Sequence, residues 1–206
     1  MNADELLDLA PVVPVVVLDD ADAAVPLARA LVAGGLPVIE VTLRTEAAPA
    51  AIERIAAEVP EAVVGAGTVV RPEDAERSAR AGARFLVSPG CTDRLREAMT
   101  ATGLPFLPGV SSASEAMALL EHGITAMKFF PAEAAGGTAY LKALNGPLPR
   151  IRFCPTGGIT RDNAPAYLGL PNVGCVGGSW PAPADAVRDG DWARIEKLAR
   201  EAAGLR

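Results

Sequence analysis

Aromatic side chains make up only 4% of this sequence, histidine occurs once and cysteine three times. Each scarcity removes a class of function. Too few rings remain for the stacking platforms that single-stranded nucleic acid needs, and a formal net charge of −6 opposes nucleic acid and anionic membrane surfaces alike. The single histidine, His122, stands between Glu121 and Gly123 at an expected helix end, where a cation is favoured, so it reads as a capping residue. A zinc site and a Ser-His-Asp triad are therefore poorly supplied. Cys91, Cys154 and Cys175 show no paired metal-ligand spacing and read as free buried thiols in a reducing, cytoplasmic setting. The apolar run Val12–Leu18 is far short of the ~20 residues that cross a bilayer, and the start Met1-Asn2-Ala3-Asp4-Glu5 is too acidic for a targeting segment.

Apolar content is nonetheless high, at 50%, so the core must be built from Ala, Val and Leu. A chain of 206 residues suits one domain with a sizeable core, or at most two small ones. Short Val/Ile-rich runs alternate with amphipathic Ala/Arg/Glu stretches along its whole length. Expected strands begin near Val12, Pro37, Ala62, Arg84, Pro105, Ala126, Arg150 and Asn172, at spacings of 21 to 25 residues. Strands alternating with helices imply a parallel sheet covered by helices, and eight such units close most economically into a compact single-domain (β/α)8 barrel over residues 1–206. Thr45, Thr92 and Ser112 are candidate N-caps, and Gly34, Gly82, Gly103 and Gly123 candidate helix stops. A short helix around Asp4–Leu9 covers the barrel bottom, and Asp191 caps a last helix through Ala203. An open doubly wound sheet is the alternative, disfavoured because Leu18-Asp19-Asp20 stands where a dinucleotide-binding loop would be Gly-rich.

Lysine is the last scarcity and the most telling: Lys128, Lys142 and Lys197 stand against 16 arginines. Lys128 lies in the apolar run Ala126-Met127-Lys128-Phe129-Phe130-Pro131. Arginine keeps its proton at physiological pH, whereas a desolvated amine can lose it and attack a carbonyl, so this position points to imine chemistry. Polar residues also crowd the strand ends where barrel enzymes keep their sites. Period-two alternation puts Glu40, Thr42 and Arg44 on one face of the second strand; a structural Glu–Arg or Glu40–Lys128 ion pair is the bland alternative. Gly65-Ala66-Gly67-Thr68 leaves room inside the third strand, with Thr68 at the rim or merely capping the next turn. The last two strands end in Pro155-Thr156-Gly157-Gly158 and Gly177-Gly178-Ser179. Glycines after strands seven and eight, with an expected short helix start near Ser179, form a phosphate site unless they serve only as tight turns.

Taken together, Glu40-Val41-Thr42-Leu43-Arg44-Thr45, Gly65-Ala66-Gly67-Thr68-Val69, Met127-Lys128-Phe129-Phe130-Pro131-Ala132-Glu133, Pro155-Thr156-Gly157-Gly158 and Gly177-Gly178-Ser179 resemble the 2-keto-3-deoxy-6-phosphogluconate (KDPG) and 4-hydroxy-2-oxoglutarate aldolase family over essentially the whole chain. The resemblance implies a Schiff-base (class I) carbon–carbon lyase of the Entner–Doudoroff pathway, without metal or cofactor. It implies Lys128 as the imine-forming residue and Glu40 as general acid/base. Arg44 and Thr68 would hold the keto-acid carboxylate, Phe130 would pack beside the imine, Pro131 would be a further substrate-binding residue, and Thr156 would contact the substrate near the new stereocentre. Gly157, Gly158, Gly178 and Ser179 would receive the phosphate. It further implies a homotrimer acting on a phosphorylated keto acid. The galactonate-configured epimer, unphosphorylated 4-hydroxy-2-oxoglutarate, and a thiamine-phosphate synthase-like transferase or phosphate-binding isomerase on the same scaffold remain the alternatives, together with a non-catalytic phosphosugar-binding module.

Overall fold

The Val-rich runs form nine short strands in this computed structural model, which describes residues 1–205. They are β1 (Val12–Val16), β2 (Val38–Thr42), β3 (Val63–Gly67), β4 (Leu86–Val87), β5 (Phe106–Leu107), β6 (Gly109–Val110), β7 (Ala126–Phe129), β8 (Arg152–Pro155) and β9 (Val176–Gly178). The sheet with order β5-β4-β3-β2-β1-β9 has six strands, and β6-β7-β8 form a second of three; every pairing is parallel. Isolated bridges Phe153↔Val173 and Thr156↔Gly177 connect the β8 and β9 regions. One strand was expected from Pro105 onward, but two are found. Proline has no N–H to give a ladder, and at Pro108 the pairing switches from β4 on one side to β7 on the other. The architecture is an α/β single domain with a curled parallel sheet, its longest continuous arc holding six strands.

The connecting helices are α1 (Ala3–Asp8), α2 (Ala24–Ala33), α3 (Ala48–Glu58), α4 (Pro72–Arg80), α5 (Asp93–Ala101), α6 (Ala113–Glu121), α7 (Gly137–Asn145), α8 (Ala164–Leu168), α9 (Ala184–Arg188) and α10 (Trp192–Ala203). Among the described residues, no helix is long and apolar enough to cross a membrane. Thr92 and Ser112 accept N-cap hydrogen bonds from the N–H groups of Leu95 and Glu115, and Asp191 accepts one from Arg194. Thr45 does not cap: α3 starts only at Ala48, and the Thr45 hydroxyl instead donates to the Leu18 carbonyl, tying two loops together. His122 is the C-cap residue of α6, as expected. Of the three cysteines, Cys154 and Cys175 are buried, whereas Cys91 is only partly so.

Alternation along the strands splits the interior into two apolar layers. Val12, Val16, Ile39, Val41, Val64, Ala66, Met127, Phe129 and Phe153 face outward and pack under the helices. Val13, Val38, Val63, Phe85, Ala126, Cys154 and Cys175 face inward, and Leu6 and Leu7 of α1 join them. An Asn2–Glu5 capping box sets the start of α1, and Arg152 bonds Asp8 at its end. Burying each leucine contributes about 1.5–3 kcal/mol. The inner end of the curled sheet is thus filled largely with hydrocarbon; apart from Arg152, which is tied to α1, the polar inward positions named here lie toward the strands' C-terminal ends.

Candidate active site

Two residues beyond the apolar layer, the same inward-facing rows turn polar. Val38 is followed by Glu40, and Ala126 by Lys128, because side chains alternate with period two. Both are almost wholly buried, and the Lys128 Nζ donates to the Glu40 Oε1 at 3.2 Å. Gly67, paired with Thr42 on the neighbouring strand, makes this possible. A Cβ there would lie 2.5 Å from the Glu40 Cγ and 2.7 Å from its Cδ, so only glycine leaves the carboxylate its path across the sheet. Gly65 similarly makes room for the Phe85 ring beneath. Glu40 pairs with Lys128 rather than Arg44, so the Glu–Arg bridge weighed from sequence is not the one formed.

Arg44 is exposed and donates through its Nε to the Thr68 Oγ1 at 3.3 Å. Thr68 is the sole non-glycine with positive φ among the described residues, at 58°. For a β-branched residue this left-handed conformation costs of order 1–3 kcal/mol, which the surroundings must impose. Thr68 does not cap the next helix, since α4 begins at Pro72. Thr42, which shares the face of Glu40, is spent on a structural bond: its hydroxyl donates to the Val16 carbonyl at 3.0 Å.

A cavity of about 450 Å3 opens at these strand ends, lined by Arg44, Phe130, Thr156, Gly157, Gly158, Gly178 and Ser179 of the expected residues. The Lys128 Nζ lies 5.3 Å from the centroid of the Phe130 ring, placing the amine beside the cavity wall. Pro131 follows a cis Phe130–Pro131 peptide bond, is exposed, and packs against Gly157 rather than lining the cavity. Thr156 is buried, and its hydroxyl donates to the Cys154 carbonyl at 3.4 Å. No helix starts at Ser179: the prolines at 181 and 183 keep the chain irregular, and α9 begins at Ala184. The Trp180 ring fills the space above Gly178 where a side chain would otherwise stand. Among the described residues, no three His, Cys, Asp or Glu side chains gather as a metal-ligand set.

Three lining residues escaped the sequence reading, Val15, Val17 and Ile159, and a fourth, Gly177, was read only as part of the glycine turn after the last strand. The valines continue the inward row begun by Val13, a signal that period two carries. Gly177 is different. A Cβ there would stand 3.1 Å from the Thr156 Cγ2 and closer still to its hydroxyl, so its smallness serves Thr156 rather than a turn. The geometry amounts to a buried amine and carboxylate in contact, just behind the Phe130 wall of a pocket that is also lined by the Arg44 guanidinium and by glycine turns; neither Lys128 nor Glu40 itself lines it.

Residues 3–198 match the family model described as KDPG and KHG aldolase. The KHG/KDPG aldolase of Escherichia coli K12 is 53% identical over 201 residues, covering 98% of this chain and 94% of that protein. A crystal structure of KDPG aldolase from Legionella pneumophila, with pyruvate captured at low pH as a covalent carbinolamine intermediate, superimposes with a TM-score of 0.97 at 45% identity, covering 99% of each chain. The KDPG aldolase of Zymomonas mobilis ZM4, solved with 3-phosphoglycerate, gives a TM-score of 0.93 at 48% identity, covering 99% of this chain and 96% of that one.

Proposed function

This chain belongs to the KDPG and KHG aldolase family, and from that premise we propose that Lys128 and Glu40 carry out its chemistry. The protein is a class I aldolase that cleaves 2-keto-3-deoxy-6-phosphogluconate to pyruvate and glyceraldehyde 3-phosphate. The family description also includes cleavage of 4-hydroxy-2-oxoglutarate to pyruvate and glyoxylate. The observation that carries the assignment of residues is the buried Lys128–Glu40 contact at 3.2 Å, beside a pocket rimmed by Arg44 and by glycine turns.

In this mechanism the Lys128 amine adds to the carbon-2 ketone, and the carbinolamine loses water to give an iminium. Glu40, directly or through one water, takes the proton from the carbon-4 hydroxyl. The carbon-3 to carbon-4 bond breaks, its electron pair flows into the iminium to leave an enamine, and the aldehyde departs. Protonation at carbon 3 and hydrolysis then free pyruvate and restore the amine. Arg44, steadied by Thr68, holds the carboxylate end, with the Phe130 ring against the imine and Pro131 behind the pocket wall. Gly157, Gly158, Gly178 and Ser179 take the phosphate end. Contacts at both ends position the bond that breaks, converting remote binding into rate.

Thr156 places a hydroxyl between the two ends, which favours the gluconate-configured substrate over its galactonate epimer; comparing their turnover checks this. The two sheets read as arcs of one eight-stranded barrel, with β5 and β6 as a single fifth strand interrupted at Pro108 and the bridges at Phe153 and Thr156 closing the ring. A homotrimer in the cytoplasm is the assembly and location the family resemblance supports, and sedimentation velocity tests the former. The chemistry is tested by incubating the protein with pyruvate and borohydride and locating the reduced adduct. Attachment at Lys128 is expected, and an adduct on Lys142 or Lys197, or none, refutes the assignment.

A further inference from the structure

Three successive carbonyls of the loop after β8 are tied down on one side. The Thr156 carbonyl accepts from the Ala132 N–H at 2.8 Å, the Gly157 carbonyl from the Glu133 N–H at 3.1 Å, and the Gly158 carbonyl from the Asn163 Nδ2 at 3.0 Å. In a trans peptide the following N–H points opposite its carbonyl; the Gly157 N–H thereby faces β9 at the Thr156–Gly177 bridge, and the N–H groups of Gly158 and Ile159 turn toward the cavity they line. Such a row of amides is an anion cradle, and its precision depends on whatever stands behind it.

Glu133 stands there. The position of a Cβ on Gly158 lies 2.6 Å from the Glu133 Cγ and 2.8 Å from its Cβ, so the glutamate stem presses on the Gly158 backbone. Glu133 is not among the residues lining the cavity. Its carboxylate is held by the Tyr167 hydroxyl, which donates to the Glu133 Oε1 from a wholly buried ring in α8. Burial, and then the bond to Glu133, push the Tyr167 phenol above its ordinary range, so it remains a donor at any working pH. A carboxylate has the wrong sign for a group behind a phosphate, so its contribution must come from shape and hydrogen bonding. We propose that Glu133, locked by Tyr167, is a positioning residue for the anion subsite, bracing Gly158 from behind so that the amides of Gly158 and Ile159 stay aimed at the substrate phosphate. The inference rests on the reading of that loop as the phosphate subsite.

Tyr167→Phe keeps the buried ring and removes only the hydroxyl. Losing one such bond should raise the KM for KDPG, and the inhibition constant of inorganic phosphate, by about fivefold. Turnover of phosphate-free 4-hydroxy-2-oxoglutarate and borohydride trapping of pyruvate should stay within about twofold, because the brace touches only the distal end. Glu133→Ala should reproduce the selective loss, whereas Glu133→Gln, which keeps the stem and an amide oxygen, should restore nearly the original KM. Equal loss on both substrates, no change in Tyr167→Phe, or Gln behaving like Ala overturns the brace. Failure of inorganic phosphate to compete in the unsubstituted protein would instead sink the subsite reading itself, before any substitution is made, and the brace with it.

Discussion

Gly67→Ala adds a single methyl group where Glu40 crosses the sheet. The backbone permits alanine, since Gly67 is not among the positive-φ glycines. The new carbon would sit 2.5 Å from the Glu40 Cγ and 2.7 Å from its Cδ. Ordinary contact needs about 3.5 Å, so the carboxylate arm must move by roughly 1 Å. Glu40 is 3% exposed and has little room to yield without abandoning the Lys128 Nζ, now 3.2 Å away. Misplacing a catalytic group by that much costs about 100-fold in rate, while overpacking costs about 1–3 kcal/mol of stability. Steady-state release of pyruvate should therefore show kcat down about 100-fold, with the folded far-UV spectrum retained and pyruvate still trapped on Lys128 by borohydride at end-point. Glu40→Gln is the volume-neutral control and should cut turnover by roughly 10²–10⁴-fold while leaving the adduct detectable. Turnover of Gly67→Ala within about threefold of the original, or loss of the adduct in a folded protein, would refute the placement of Glu40 as the proton-transfer group.

Lys128→Arg keeps a positive charge opposite Glu40 but cannot form an imine, so turnover and borohydride adduct should both vanish; measurable cleavage by the purified variant contradicts the nucleophile assignment. Thr68→Gly removes a left-handed threonine and the hydroxyl that holds the Arg44 Nε. Relief of about 1–3 kcal/mol of strain outweighs or matches the ~1 kcal/mol entropic cost of glycine, so the denaturation midpoint should hold or rise, by about 0–2 kcal/mol of stability. The KM for the keto acid should nonetheless rise about fivefold, and an unchanged KM argues against the carboxylate role. The Glu115 carboxyl is held below its ordinary range first by the Ser111 N–H, then by Ser112 and the Ser111 hydroxyl, against burial that raises it. A lowered folded-state pKa means that stability is fully present above the unfolded value and is lost as pH falls through the folded one. Thermal melts of Glu115→Gln should accordingly fall less steeply than the original below the ordinary glutamate range, near pH 4.3; parallel melting curves would remove the cap at α6 as a pH-sensitive element.

The strand starts and the pairing of Lys128 with Glu40 were readable because both depend on one local rule, the alternation of side chains across a strand. Val38 and Ala126 face the hydrocarbon floor, so Glu40 and Lys128 must face the same interior one pleat higher. Readings that needed the path of the chain outside the strands fared worse. Thr45 looks like a cap in sequence, yet its hydroxyl goes to the Leu18 carbonyl in the loop after the neighbouring strand. Ser179 was expected at a helix start, yet the prolines at 181 and 183 postpone the helix to Ala184. The ladder break at Pro108 is a matter of which side of the strand needs the missing N–H, which composition does not encode. The Glu133–Tyr167 contact joins positions 34 residues apart, one on a loop and one in α8, and left no periodic trace at all.

Leu6 and Leu7 stopper one end of the sheet's interior, and that governs traffic. In the mechanism proposed above, an interior closed below empties from the top: the severed aldehyde would leave while the three-carbon remnant is still tethered to Lys128. Synthesis in reverse would then load in the opposite sequence, keto acid before aldehyde.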